Sequence, residues 1–191
     1  MTPRRMLAPL LAAVLLSLGA CSGSPPAALY TLAAQPGPAV ATRALSVELR
    51  RIGLAGYLDR PEIVRGTVGF RLQVNDGDRW GEPASGMIGR VLTEDLVMRL
   101  PQAAVFAESG AISTRPDLVL EIDIQRLDAD ADGALILLAQ LAIRPDGGVA
   151  SATTIRLRTP IAGPTATDHV AAMSVAIGEL ADRIATMLAR T

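Results

Sequence analysis

Apolar positions recur with two different periods along this chain, and each change of period marks a change from strand to helix or back. Leu45, Val47 and Leu49 alternate with Ser46, Glu48 and Arg50, which predicts a half-buried strand. After a turn-like stretch from Gly53 to Pro61, short strands are predicted over 62–67 and 68–74, closed by the turn residues Asn75-Asp76-Gly77-Asp78. From 85 to 100 the period becomes helical: Ile88, Val91, Leu92, Leu96 and Leu100 form one stripe, bracketed by Pro83 and Pro101. A short strand follows at 103–106. Leu118, Leu120, Ile122 and Ile124 then alternate with Glu121, Asp123 and Gln125. Residues 135–143 are apolar on both faces except at Gln140, which predicts a central strand covered on each side. Residues 149–159 alternate again, with Thr153, Ile155 and Leu157 against Arg156 and Arg158. The polar connections 128–133 and 146–148 fit antiparallel hairpins. A last helix is predicted over 168–189, capped by Thr167, with Met173, Ile177, Leu180, Ile184 and Leu188 as its stripe. This order predicts a single-domain α+β fold, a mainly antiparallel sheet of about six to seven strands packed with two helices.

Residues 1–20 stand outside that pattern. Arg4 and Arg5 precede an uncharged Leu- and Ala-rich run over 6–18, too short to span a bilayer, and the segment reads as an export signal. It ends in Leu18-Gly19-Ala20-Cys21, which resembles the lipobox of bacterial lipoprotein signals. On that resemblance Leu18, Gly19 and Ala20 are read by the signal peptidase, the small residues letting the backbone enter its cleft. Cys21 becomes the lipidated first residue of the mature chain. An ordinary secretory peptide or a short membrane anchor are the alternatives. They fit less well, because Cys21 is the only cysteine, and an unpaired thiol is a liability in an oxidising compartment that acylation removes. One acyl chain holds a protein only marginally, whereas the two or three of a mature lipoprotein hold it durably. Ser22, in place of Asp, resembles the sorting pattern for the periplasmic face of the outer membrane rather than the inner one. Residues 21–43, with Pro25, Pro26, Pro36 and Pro38, read as a lipidated tether unable to order itself, with Tyr30-Thr31-Leu32 as a local docking point. The folded domain is then expected over 44–191.

Charge and chemistry narrow the function classes. The chain has 18 basic and 19 acidic side chains. Loss of Arg4 and Arg5 with the signal makes the mature protein slightly more acidic, so nucleic acid is not an expected partner. No polybasic run suggests a headgroup patch. Tyr30, Tyr57, Phe70, Trp80 and Phe106 are the only aromatics, so the core must be aliphatic. There is no Gly-x-Ser-x-Gly elbow, phosphate loop or dinucleotide fingerprint. Asp128-x-Asp130-x-Asp132-Gly133 begins like a calcium loop, but Ala139 stands where the bidentate Glu belongs, so a hairpin turn is expected. His169 is the only histidine and has no Cys partner for a metal. No catalytic residue, metal or cofactor is expected, apart from the covalent lipid on Cys21. Two segments stand out: Tyr57-Leu58-Asp59-Arg60-Pro61-Glu62-Ile63-Val64 and Arg79-Trp80-Gly81-Glu82-Pro83. Trp80 either plugs an open end of the core or anchors a partner surface, where Trp, Tyr and Arg are enriched. Tyr57, Asp59, Arg60, Arg79, Trp80 and Glu82 are therefore the partner-binding candidates.

These segments, followed by Ile88-x-Arg90-Val91-Leu92-x-x-x-Leu96-x-x-x-Leu100-Pro101, are similar to the PqiC-type family, the auxiliary lipoproteins of ABC-type intermembrane transport systems. The resemblance spans nearly the whole chain, from the lipobox and Tyr30-Thr31-Leu32 to Ala171-Ala172-Met173-Ser174. It implies a non-catalytic role. The lipid on Cys21 would hold the domain at the outer membrane while the domain docks an MCE-domain protein that carries lipid or other hydrophobic molecules across the periplasm. A homo-oligomeric ring matching the MCE ring would follow. Two alternatives belong to other classes: a lipoprotein that scaffolds or activates a cell-envelope enzyme, and a carrier that itself encloses a hydrophobic ligand.

Overall fold

A computed structural model describes residues 26–108 and 114–190. The expected signal segment, its expected recognition residues Leu18, Gly19 and Ala20, and the expected lipidation residue Cys21 lie outside these described residues. Among them the strands are β1 (Ala28–Tyr30), β2 (Ser46–Leu49), β3 (Gly53–Leu54), β4 (Glu62–Val68), β5 (Arg71–Trp80), β6 (Ala104–Ala107), β7 (Leu118–Ala129), β8 (Ala134–Pro145) and β9 (Ser151–Pro160). The helices are α1 (Ala84–Arg99) and α2 (Ala166–Leu188).

The α+β class and the helix pair match the sequence-based expectation. The sheet is larger and more mixed, with nine strands among the described residues. Strand β7 is its axis. One edge of β7 pairs antiparallel with β8, which pairs antiparallel with β9. The other edge takes three parallel partners in succession: β2 at Leu118–Leu120, β3 at Asp123–Ile124, and β4 where Gly66 meets Ala129. Parallel pairs β2–β6 and β1–β5 extend the two branches. Parallel partners are joined through distant chain and leave no local turn signature, so a period-two pattern predicts the strands but not this pairing.

Both helices cover one face of the sheet. Leu118, Leu120, Ile122 and Ile124 of β7 and Leu135, Leu137, Ala139 and Leu141 of β8 are buried there against the stripes of α1 and α2. The opposite face is polar. Val119, Glu121, Asp123 and Arg126 register with Arg144, Ala142, Gln140 and Leu138. Strand β8 is therefore central by hydrogen bonding but only partly covered on its second side: Ile136 is buried there, Leu138 half-buried and Gln140 exposed.

Three local expectations change. Asn75–Asp78 does not close a hairpin but forms an irregularity inside β5. Glu62 pairs with Arg79 and Val64 with Val74, so five steps of β5 oppose two of β4. Asn75 Oδ1 accepts from Gly77 N at 3.1 Å, the same side-chain–backbone chemistry that makes Asn a turn former. The chain reverses instead at Gly69, whose φ of 60° lies in the left-handed region. Helix α2 is capped by Thr165, not Thr167. Thr165 Oγ1 accepts from Asp168 N at 3.1 Å and Asp168 Oδ2 accepts from Thr165 N at 3.0 Å, a reciprocal capping box.

The third change concerns the expected tether. From Ala28 onward it is a strap packed on the domain. Leu32 is 3 % exposed within the core. Helix side chains satisfy the strap's backbone: Leu32 N donates to Met87 Sδ at 3.3 Å, Ala33 N to Ser174 Oγ at 3.2 Å and Gln35 N to Asp95 Oδ1 at 2.6 Å. A Pro- and Ala-rich segment cannot make a core of its own, but it needs little surface to dock on one that the helices already supply. Arg99, 1 % exposed, closes the arrangement. Its Nη1 donates to the Gln35 carbonyl at 2.9 Å, and its Nε donates to Asp182 Oδ1 of α2 at 2.6 Å. Gly37 lies directly against this guanidinium, where a Cβ would collide with it.

Candidate functional site

The two sequence segments meet at one corner of the molecule. Trp80 ends β5, and its backbone N donates to the Pro61 carbonyl at 2.8 Å, which draws the end of β5 onto the turn before β4. Tyr30 of the strap registers with Trp80 through the β1–β5 pair, and Gly81 N donates to the Tyr30 carbonyl at 2.9 Å. A cleft of about 390 Å³ opens here, lined by Asp59, Arg60, Pro61, Trp80, Gly81, Glu82 and Pro83. Trp80 is half-buried and also touches the hydrophobic core. One side of the indole closes the core, as the plug reading expects, while another lines the cleft.

Two residues outside the candidate set organise the charges. Glu62 accepts from Arg79 Nη2 at 2.7 Å and from Arg60 Nε at 2.9 Å, joining the two segments. These hydrogen bonds, that of Arg79 foremost and then that of Arg60, hold its carboxyl well down, at about 2. Arg90 of α1 donates to Glu82 Oε1 at 2.7 Å and to Glu94 Oε1 at 3.1 Å, and these bonds raise its pKa further. Glu62 lies inside the first motif but was absorbed there into a strand. Arg90 is recognisable as a partner of Glu82 only once the start of α1 is fixed.

Tyr57 does not join the corner. Its hydroxyl donates to Asp128 Oδ2 at 2.8 Å, and Asp128, only 3 % exposed, also accepts from Arg126 Nε at 2.7 Å. Burial, reinforced by Asp128, raises the Tyr57 pKa. Tyr57 is thus a fastener between the β3–β4 connection and the end of β7. The acidic repeat beginning at Asp128 makes a hairpin turn as expected. Asp130 Oδ1 accepts from Asp132 N and Ala134 N, and Gly133 adopts φ 77°.

His169 lies in the first turns of α2, 2 % exposed, and its Nε2 has no partner. It is a core residue despite its place near a helix start. Burial is the main cause lowering its pKa, with Arg65 adding to it. Among the described residues no cluster of His, Cys, Asp and Glu is arranged to hold a metal ion, and no helix is long and apolar enough to cross a membrane.

The fold is a small two-layer α+β domain that also occurs in solved structures. Protein XCC0632 from Xanthomonas campestris, a member of family DUF330, is 21 % identical, with a TM-score of 0.71 over 85 % of this chain and 95 % of that one. An uncharacterized protein reaches a TM-score of 0.72 at 14 % identity, covering 86 % of this chain and 99 % of its own. No curated protein matches. The family is nevertheless shown by a family model that matches residues 30–185: the chain belongs to the ABC-type transport auxiliary lipoprotein components. That match begins within the strap, in agreement with a domain that starts before residue 44.

Proposed function

We propose that this protein is a lipid-anchored, non-catalytic subunit of an MCE-type intermembrane transport system, holding that system at the outer membrane. The family match over residues 30–185 carries this reading, because it makes transport assistance by a lipoprotein the shared property. Export and acylation of Cys21 supply the anchor, and Ser22 directs it to the outer membrane. The corner built by Asp59, Arg60, Arg79, Trp80 and Glu82 supplies the contact with the MCE-domain protein. An aromatic flanked by ion pairs that are partly open to solvent is the composition of a polar-rimmed protein interface. A ring of several copies would match the ring symmetry of MCE proteins.

Affinity capture from crosslinked membranes tests the assignment. The wild-type chain should recover an MCE-domain protein, and Trp80→Ala combined with Glu82→Arg should lose it while the thermal transition stays cooperative. Recovery of peptidoglycan enzymes with no MCE-domain protein would point to envelope-enzyme scaffolding and overturn the transport assignment.

A further inference from the structure

Beyond Gly66, where β4 leaves β7, the β4–β5 hairpin projects from the sheet with no other strand beside it among the described residues. At its tip Phe70 is fully exposed, at 107 %, and Leu72 is 39 % exposed. Exposed Arg71 lies between them. Single exposed apolar residues are ordinary, but a Phe at the apex of a projecting turn places its whole ring in water unless something covers it.

The chain itself points to what covers it. Strand β1 runs parallel to β5, with Ala28 beside Asp78 and Tyr30 beside Trp80. The start of β1 therefore faces back along β5 toward the hairpin tip. Seven residue steps separate Cys21 from Ala28, a reach of at most about 25 Å. From Glu62, which registers with Arg79, β4 runs six residues to the turn, about 20 Å along the strand. The reach of a lipidated Cys21 thus matches the distance from the β1 end of the hairpin to its tip.

We propose that the β4–β5 tip is a second membrane contact, with Phe70 and Leu72 entering the interfacial region of the bilayer that holds the Cys21 lipid. Arg71 between them keeps its guanidinium at the headgroups, as amphipathic side chains do at such a boundary. The neighbouring β7–β8 turn carries Asp130 and Asp132, whose charge Arg158 offsets in part through contacts of 3.3 and 3.6 Å. The docking corner then lies at the other end of β5, ten residues from the tip, turned away from the membrane. The inference rests on the anchor assigned above.

The test uses the mature acylated protein in vesicles of phosphatidylethanolamine and phosphatidylglycerol. With the Cys21 sulfur taken up by lipid, Phe70→Cys offers one free thiol for an environment-sensitive fluorophore. Leu72→Cys gives an independent second site. Val149→Cys is the reference: it is 91 % exposed, in the β8–β9 connection at the opposite end of β7. Probes at 70 and 72 should shift to the blue and lose intensity to nitroxide-labelled acyl chains, while the probe at 149 does neither. A water-like, unquenched probe at 70 on acylated, vesicle-bound protein overturns the hairpin contact alone. A probe at 70 that is shielded in detergent and untouched by lipid quenchers shows a second copy covering the tip, and likewise overturns it. Intact mass without acyl chains on Cys21 refutes the anchor, and the hairpin contact falls with it.

Discussion

Arg99 is buried with its charge, and its surroundings explain how the fold tolerates this. Asp95 lies 3.7 Å away and is itself fully buried, Asp182 accepts at 2.6 Å, and the Gln35 carbonyl occupies a further donor. Removing one partner of such a group is more damaging than the group is stabilising, because the remaining charge is left without compensation. Arg99→Ala should therefore lower unfolding free energy by about 3–5 kcal/mol in urea titration. Asp95→Asn, which keeps an acceptor for Gln35 N, should cost about 1 kcal/mol. Glu62 gives a pH-dependent counterpart. Its folded pKa of about 2 lies below the unfolded value of about 4.3, so its contribution is complete above the latter and is lost as pH falls toward the former. Denaturation midpoints between pH 5 and 2.5 should fall more steeply for the wild type than for Glu62→Gln. At this scale the sequence was legible for Asp59, Arg60, Trp80 and Glu82, which share a cleft because each motif is short and its residues travel together. It was not legible for Tyr57, whose hydroxyl finds Asp128 across 71 positions of chain. Nor did it reveal Arg99, which sits at the end of a helical stripe like any solvated C-terminal arginine.

Elements governed by local chemistry were readable and those governed by distant partners were not. Both helix stripes stand where 3.6-residue periodicity puts them, and the β7–β8–β9 meander follows from polar turns between apolar runs. Asn75–Asp78 misled because the hydrogen bond that reverses a chain also supports an irregularity within a strand. The two candidate caps of α2 differ by two residues, and only Thr165 has Asp168 in position to return the bond. Thr165→Ala should cost about 1 kcal/mol of stability while Thr167→Ala changes it little, as measured by thermal or urea denaturation. Strap docking depends on close approach at Gly178 of α2, where an added Cβ would stand 2.8 Å from Gln35 Cβ. Gly178→Ala should therefore loosen the strap ahead of the rest of the fold. Limited proteolysis within residues 33–42 would detect this as early cleavage.

On the scale of the whole molecule the strap belongs to the fold. A chain beginning at residue 44 would lose the burial of Leu32, about 2 kcal/mol, and leave Asp95 and Arg99 short of their strap partners. It should unfold at markedly lower urea concentration than a chain beginning at residue 26, which keeps β1 and the clasp. The strap also has a mechanical consequence if the molecule is held at Cys21 and pulled by a partner at its far side. Because β1 lies alongside β5, tension along the strap loads their hydrogen bonds in shear, all at once, instead of peeling them apart one by one. Behind that pair, Leu32 in its apolar seat and the Arg99 guanidinium at Gln35 and Gly37 form further stops in series. A traction force would thus be spread through both helices into the core before any strand is stripped from the sheet.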